Sequence, residues 1–238
     1  MSKQAMLEVR ALDAWYGQAQ ILYGVSLGVN PGECVALVGR NGAGKSTTMK
    51  AIMGLIAKKR GHVAFRGQDI STWPAYRIGR LGLGWVPEDR RIFTDLTVRE
   101  NLAVARQPRR EGAPEWTPEE LYALFPNLGA MPNRPGGRMS GGEQQMLTVA
   151  RTLMGNPYLV LLDEPSEGVA PVIVEQMIQT IQELKKQGLS ILLSEQNIHF
   201  AELVSDRAYV LEKGQIHWHG SMQALAGNVE IQRSFLTV

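Results

Sequence analysis

The stretch GRNGAGKST at residues 39–47 constrains this chain more than any other part of it. It satisfies G-x-x-x-x-G-K-[ST] through Gly39, Gly44, Lys45 and Ser46, directly after the apolar run ECVALV (33–38) and before a helical pattern over 45–53. Glycines there let the backbone curl, so that the N–H groups of Gly39, Arg40, Asn41, Gly42, Ala43, Gly44, Lys45, Ser46 and Thr47 can face an anion. The helix N-terminus adds its partial positive charge. Lys45 would reach the outer phosphates, and the Ser46 hydroxyl would ligate Mg²⁺. A strand, a phosphate loop and a helix in that order predict an α/β fold built around a nucleotide.

A second stretch supplies the chemistry that a phosphate loop lacks. YLVLL (158–162) is a continuous apolar run, the pattern of a parallel strand covered on both faces, and it ends at Asp163 and Glu164. An aspartate at a strand end can hold Mg²⁺ through water, and the adjacent glutamate can orient or deprotonate an attacking water. The guanine-reading N-K-x-D pattern of small GTPases is absent, which points to ATP. In DAWYGQAQIL (13–22), upstream of the loop, Tyr16 is the candidate for stacking on adenine and Trp15 is its rival.

Strand-like runs at 7–12, 24–29, 62–65, 83–86, 190–194, AYVLE (208–212) and QIHWH (215–219) alternate with helical patterns at 74–81 and 172–186. The 172–186 pattern places Ile173, Val174, Met177, Ile178, Ile181 and Leu184 on one face. From 88 to 155 the pattern turns helical, near 97–106, 117–125 and 142–154, with Pro- and Gly-rich joints. These residues read as a helical subdomain inserted into an α/β core made of 1–87 and 156–238.

Charge argues against nucleic acid as a partner. The formal net charge is +2, from 25 basic and 23 acidic residues, and the basic clusters are short and scattered. Cys34 is the single cysteine, so no internal disulfide is expected. The N-terminus lacks the layout of a signal peptide, and no apolar run approaches the ~20 residues of a membrane span. A role at a membrane would need other subunits to hold the chain there.

SGGEQQ (140–145) opens the third helix of the insert. A Gly-Gly pair preceded by Ser and followed by a helix has the physics of a second anion site. Two phosphate cradles for one phosphate chain suggest that Ser140, Gly141, Gly142 and Glu143 serve a nucleotide held by another subunit. With this stretch in place the whole chain resembles an ATP-binding cassette (ABC) ATPase, and SGGEQQ matches that family's signature. More narrowly, VPEDRRIF (86–93), MSGGEQQML (139–147), DEPSEGVAP (163–171) and LLSEQN (192–197) resemble the ATPases of branched-chain amino acid importers, with urea and amide importers close behind.

The resemblance implies a P-loop NTPase, RecA-like core with an antiparallel β subdomain and the inserted helical signature subdomain. It implies two cassettes paired head to tail, a different chain or a second copy completing the pair. It further implies two membrane permease subunits, a solute-binding protein and a place on the cytoplasmic face of the inner membrane. Glu88 stands where the family usually has a glutamine near Mg²⁺ and the attacking water, and Gln196 where it has a histidine at the γ-phosphate. The loop after Glu164 reads Ser166-Glu167-Gly168-Val169, where an aspartate usually closes it. The segment from Glu88 to Leu102, with Arg90, Arg91 and Phe93, is where a membrane partner would dock. A regulatory cassette with little turnover is the alternative, against which Lys45, Asp163 and Glu164 all argue.

Overall fold

Two of the strands that are buried along their whole length mark the centre of the molecule. They are β3 (Cys34–Val38) and β7 (Leu159–Asp163) in a computed structural model that describes residues 4–236. The larger sheet runs β10 (Gln215–Ser221), β9 (Arg207–Glu212), β3, β8 (Ser190–Glu195), β7, β6 (Leu83–Val86). All neighbours are parallel except β10, which runs antiparallel to β9 at the edge. In register, Val38 pairs with Glu195 and Asp163 with Ser194. The C-terminal ends of β3, β8 and β7 therefore open side by side, with β8 in the middle. Ligands of open α/β sheets bind at that edge.

Successive side chains of these strands go to opposite faces. Leu159, Leu161 and Leu192 join a core with Met49 and Ile52 of helix α1 (Lys45–Ile52). The same core holds the inner faces of a second, antiparallel sheet, ordered β2 (Ala19–Val29), β1 (Leu7–Tyr16), β4 (Lys58–Phe65), β5 (Gln68–Asp69). Val160, Leu162 and Leu193 face the other way, against Met177 and Ile181 of α7 (Pro171–Lys186).

Between β6 and β7 the elements are helical: α3 (Val98–Ala105), α4 (Pro118–Leu124), α5 (Pro126–Gly129) and α6 (Gly141–Leu153), after an earlier α2 (Ala75–Leu81). Three of these helices begin with reciprocal capping boxes, Thr97 with Glu100, Thr117 with Glu120 and Ser140 with Glu143. Each box satisfies two end N–H groups that the helix itself cannot. Leu102, Leu121, Phe125, Met146 and Leu147 share one core with α7 and the second face of the sheet. Among the described residues no helix is long and apolar enough to cross a membrane.

Where the structure departs from the sequence expectations, the causes are local. The strands expected at 7–12 and 24–29 continue to 16 and back to 19, and Gly17, at φ 60°, turns the hairpin between them. The 62–65 strand extends back to Lys58 because Gly61, at φ 114°, bends it within the sheet without ending it. Helices α8 (Ile198–Val204), α9 (Met222–Ala226) and α10 (Val229–Phe235) were not expected, being too short for a periodic pattern. Their signals were the caps: Asn197, Ser221 and Asn228 accept from the N–H groups of Phe200, Ala224 and Ile231.

One buried amide holds the segment entering the helices. Asn101 is fully buried; its Oδ1 accepts from Phe93 N at 3.0 Å, and the two hydrogens of its Nδ2 are shared among Phe93 O, Leu96 O and Thr97 O at 3.0–3.1 Å. Asn101→Ala strips partners from several backbone groups at once. We expect a loss of about 3 kcal/mol in unfolding free energy, read by urea denaturation.

Candidate functional site

The phosphate loop joins β3 to α1 and is moulded around its glycines. A Cβ on Gly39 would lie 2.2 Å from Leu211 O of β9, so only glycine fits against that strand. Gly42 and Gly44 take φ of 79° and 109°, conformations that L side chains rarely adopt. Asn41 and Gly42 are exposed at the tip, and Lys45 is buried at the loop's end. Lys45 Nζ donates to Gly39 O at 2.7 Å and Arg40 O at 3.1 Å, and it pairs with Glu164 Oε1 at 3.1 Å.

The register of the sheet brings the second half of the site to the same place. Asp163 Oδ1 accepts from Ser46 Oγ at 3.0 Å and from Ser194 Oγ at 2.6 Å. Burial pushes the Asp163 carboxyl above the usual carboxylate range, and the two hydroxyl donors pull against it. Glu164 follows in the left-handed region at φ 49°, which turns its carboxylate away from the strand and toward Lys45. Such strain in a non-glycine residue persists only where surrounding bonds hold it. Here Glu164 N donates to Ser194 O at 3.1 Å.

A hydroxyl and carboxylates form the all-oxygen donor set that suits Mg²⁺. Among the described residues, no three His, Cys, Asp or Glu side chains cluster closely enough to hold a metal by themselves. Phosphate oxygens would have to complete the shell around Ser46 and Asp163, as is usual for this ion. Glu88 is exposed, but partial burial and then the charges of Glu164 and Asp163 hold its carboxyl above the ordinary range.

Of the two aromatics, Tyr16 presents its ring to solvent at the end of β1, 49% exposed. Trp15 is covered by Lys58 and Arg60, each 5.2 Å from its ring centre. Gln196 is half-buried just beyond β8, its N–H donating to Glu195 Oε2 at 3.1 Å.

The glycines of the SGGEQQ stretch lie against side chains from elsewhere in the chain. A Cβ on Gly141 would lie 2.6 Å from Arg90 Nη1, and one on Gly142 would lie 2.6 Å from Ile173 Cγ1. Ser140 caps α6, and the Glu143 carboxylate turns back to accept from Ser140 N at 2.7 Å. The preceding segment is pinned to the same helix. Thr148 Oγ1 donates to Arg90 O and Arg151 Nη2 to Arg91 O, both at 2.6 Å, which holds the left-handed φ of 62° and 41° at Arg90 and Arg91. Phe93 stays 51% exposed beside Arg151.

Three residues in this site were not singled out as site residues from sequence. Ser194 and Glu195 stand within LLSEQN, but their neighbours come from strand order, which the sequence does not print. Glu167 is the third. Its carboxyl is pushed up to about 7 by a hydrogen bond with Glu164 first, then by burial and the charges of Glu164 and Glu88, against Lys45. When protonated, Glu167 can donate to Glu164 and occupy an oxygen that could accept a proton from water. Turnover should therefore rise as pH passes upward through about 7. Glu167→Gln, a permanent donor, should match wild type at pH 6 and fall several-fold below it at pH 8, roughly one strong hydrogen bond's effect. Parallel pH–rate profiles check this.

The sequence model of the ABC transporter family matches residues 22–167, more than half of the chain. The chain belongs to the ABC transporter family. It is an ATP-binding cassette and an ATPase, and membership implies membrane permease partners and pairing of cassettes. The cassette is 40% identical to BraG, a high-affinity branched-chain amino acid transport ATP-binding protein of Pseudomonas aeruginosa, over 97% of this chain and 99% of BraG. It is 33% identical to LptB, a lipopolysaccharide export ATP-binding protein of Haemophilus influenzae, over 98% of this chain and 97% of LptB. Among solved structures, an ATP-binding cassette in its ADP conformation superposes with a TM-score of 0.80 at 25% identity, covering 97% of this chain and 98% of that one. An Atm1-family exporter with ATP bound reaches 0.77 at 26% identity, over 96% of this chain and 40% of that longer one.

Proposed function

We propose that this cassette powers uptake of branched-chain or other hydrophobic amino acids, as the ATP-hydrolysing subunit of an importer. The observation that carries this reading is the 40% identity to BraG over 97% of this chain and 99% of BraG. The partners in this reading are a second cassette, two membrane permeases and, through them, a solute-binding protein, with the chain held at the cytoplasmic face of the membrane. The helical segment 88–155 acts as the unit that presents Arg90, Arg91 and Phe93 to a permease.

Within the site, residues 39–47 hold the phosphates through backbone N–H groups, and Lys45 meets their outer charge. Ser46 and Asp163, with Glu88 beside them, would hold Mg²⁺, which supplies charge neutralisation at the phosphate oxygens. Glu164 accepts the proton of the attacking water. The anionic substrate competes with Glu164 for the Lys45 ammonium, so binding releases the carboxylate for that task. Gln196 donates a neutral hydrogen bond toward the terminal phosphate, Tyr16 stacks on adenine, and Ser140, Gly141, Gly142 and Glu143 close over the nucleotide of the paired cassette.

Uptake assays test the substrate. Cells carrying Glu164→Gln should lose ATP-driven uptake of radiolabelled leucine, isoleucine and valine. Loss of urea or acetamide uptake instead would assign the related solute class. An unchanged import profile would favour an export role, the reading supported by the 33% identity to LptB over 98% of this chain.

A further inference from the structure

Glu195 ends β8, the strand between the phosphate loop's strand and that of Asp163, and it is 2% exposed. Its carboxylate serves two loops. Oε1 accepts from Ser166 N at 3.1 Å, in the loop after Glu164. Oε2 accepts from Gln196 N at 3.1 Å and Asn197 N at 3.0 Å, in the turn that bears Gln196. Its main-chain carbonyl meanwhile accepts from Gly39 N of the phosphate loop at 3.3 Å. Burying a carboxylate costs free energy unless it is hydrogen-bonded, and these donors offset that cost.

A carboxylate is also the side chain the position requires. It offers two acceptor oxygens and no donor, so both ends can receive N–H groups at once. A glutamine would turn an NH₂ group toward one of the two loops, and an aspartate is one methylene too short to span them.

We propose that Glu195 is a positioning residue whose carboxylate ties the loop beginning at Ser166 to the turn bearing Gln196, so that the two move as one unit during hydrolysis. The inference rests on the reading of Gln196 as the group facing the terminal phosphate. Because the bond to Gly39 is main-chain, nucleotide binding should survive any substitution of this side chain.

The test uses the full-length chain, with turnover counted per bound nucleotide and fluorescent ATP titrated for affinity, well below the melting temperature. Glu195→Gln should lower kcat about 10-fold with the ATP Kd within about 2-fold of wild type, the scale of a lost charge-assisted bond. Glu195→Asp, which keeps the charge and loses the span, should show the same fall. Glu195→Gln placed on Gln196→Ala should slow turnover no further than Gln196→Ala does. Wild-type turnover in Glu195→Gln or in Glu195→Asp overturns the proposal. So does a loss confined to affinity or to the folded fraction, or a double variant whose two effects multiply. Wild-type turnover in Gln196→Ala overturns the reading of Gln196 itself, which is a different failure.

Discussion

Glu164→Gln is expected to lower ATP turnover by about 1000-fold while leaving ATP bound, the scale of a lost general base. The geometry makes this a clean substitution. Glu164 is held at φ 49° by its own backbone bond to Ser194 O, which an amide side chain does not disturb. The substitution removes the charge opposite Lys45, but Lys45 Nζ still has Gly39 O and Arg40 O as acceptors. It is then freer to meet a phosphate, so affinity should hold or improve. Phosphate release at saturating ATP, with nucleotide quantified across a light-scattering peak, reads both halves of the expectation. Turnover within about 10-fold of wild type would remove Glu164 from the role of base. A doubled mass with ATP retained would show that two copies of this chain can pair, and a monomer carrying ATP would direct the search to a different cassette.

How much of this was legible in the sequence depends on the range of the interaction. The phosphate loop was readable because its requirements are local: Gly39, Gly44, Lys45 and Ser46 lie within eight consecutive positions of strand, turn and helix. The strand ending at Asp163 was readable from its unbroken apolar run, and α7 from six apolar residues on one face. The partnership of Ser194 with Asp163 spans 31 residues and depends on β8 lying beside β7, which no local pattern encodes. The raised carboxyl of Glu167 likewise comes from the fold of one loop over Glu164 and Glu88. The signature stretch was readable as a motif, yet its spatial neighbours were not. The side chains of Arg90 and Ile173 lie beside Gly141 and Gly142 from 51 and 31 residues away along the chain.

The pairing of Lys45 with Glu164 makes the opposite substitution asymmetric. Lys45 and Glu164 side chains are 2% and 7% exposed, and their 3.1 Å contact is a buried ion pair. Taking the acid away leaves an ammonium with two carbonyl acceptors, whereas taking the lysine away leaves a buried carboxylate without that cation. Lys45→Ala should therefore weaken ATP binding by about 100-fold, since the outer phosphates lose their charge-assisted donor. It should also lower unfolding free energy by about 3 kcal/mol, the scale of breaking one side of a buried pair. The two losses have separable causes. In Lys45→Ala with Glu164→Gln the carboxylate is gone, so stability should return toward wild type while ATP affinity stays low. Urea denaturation and fluorescent-nucleotide titration of the single and double variants measure each effect. A double variant that remains as unstable as Lys45→Ala would mean that Lys45 stabilises the fold through Gly39 O and Arg40 O and not by neutralising Glu164.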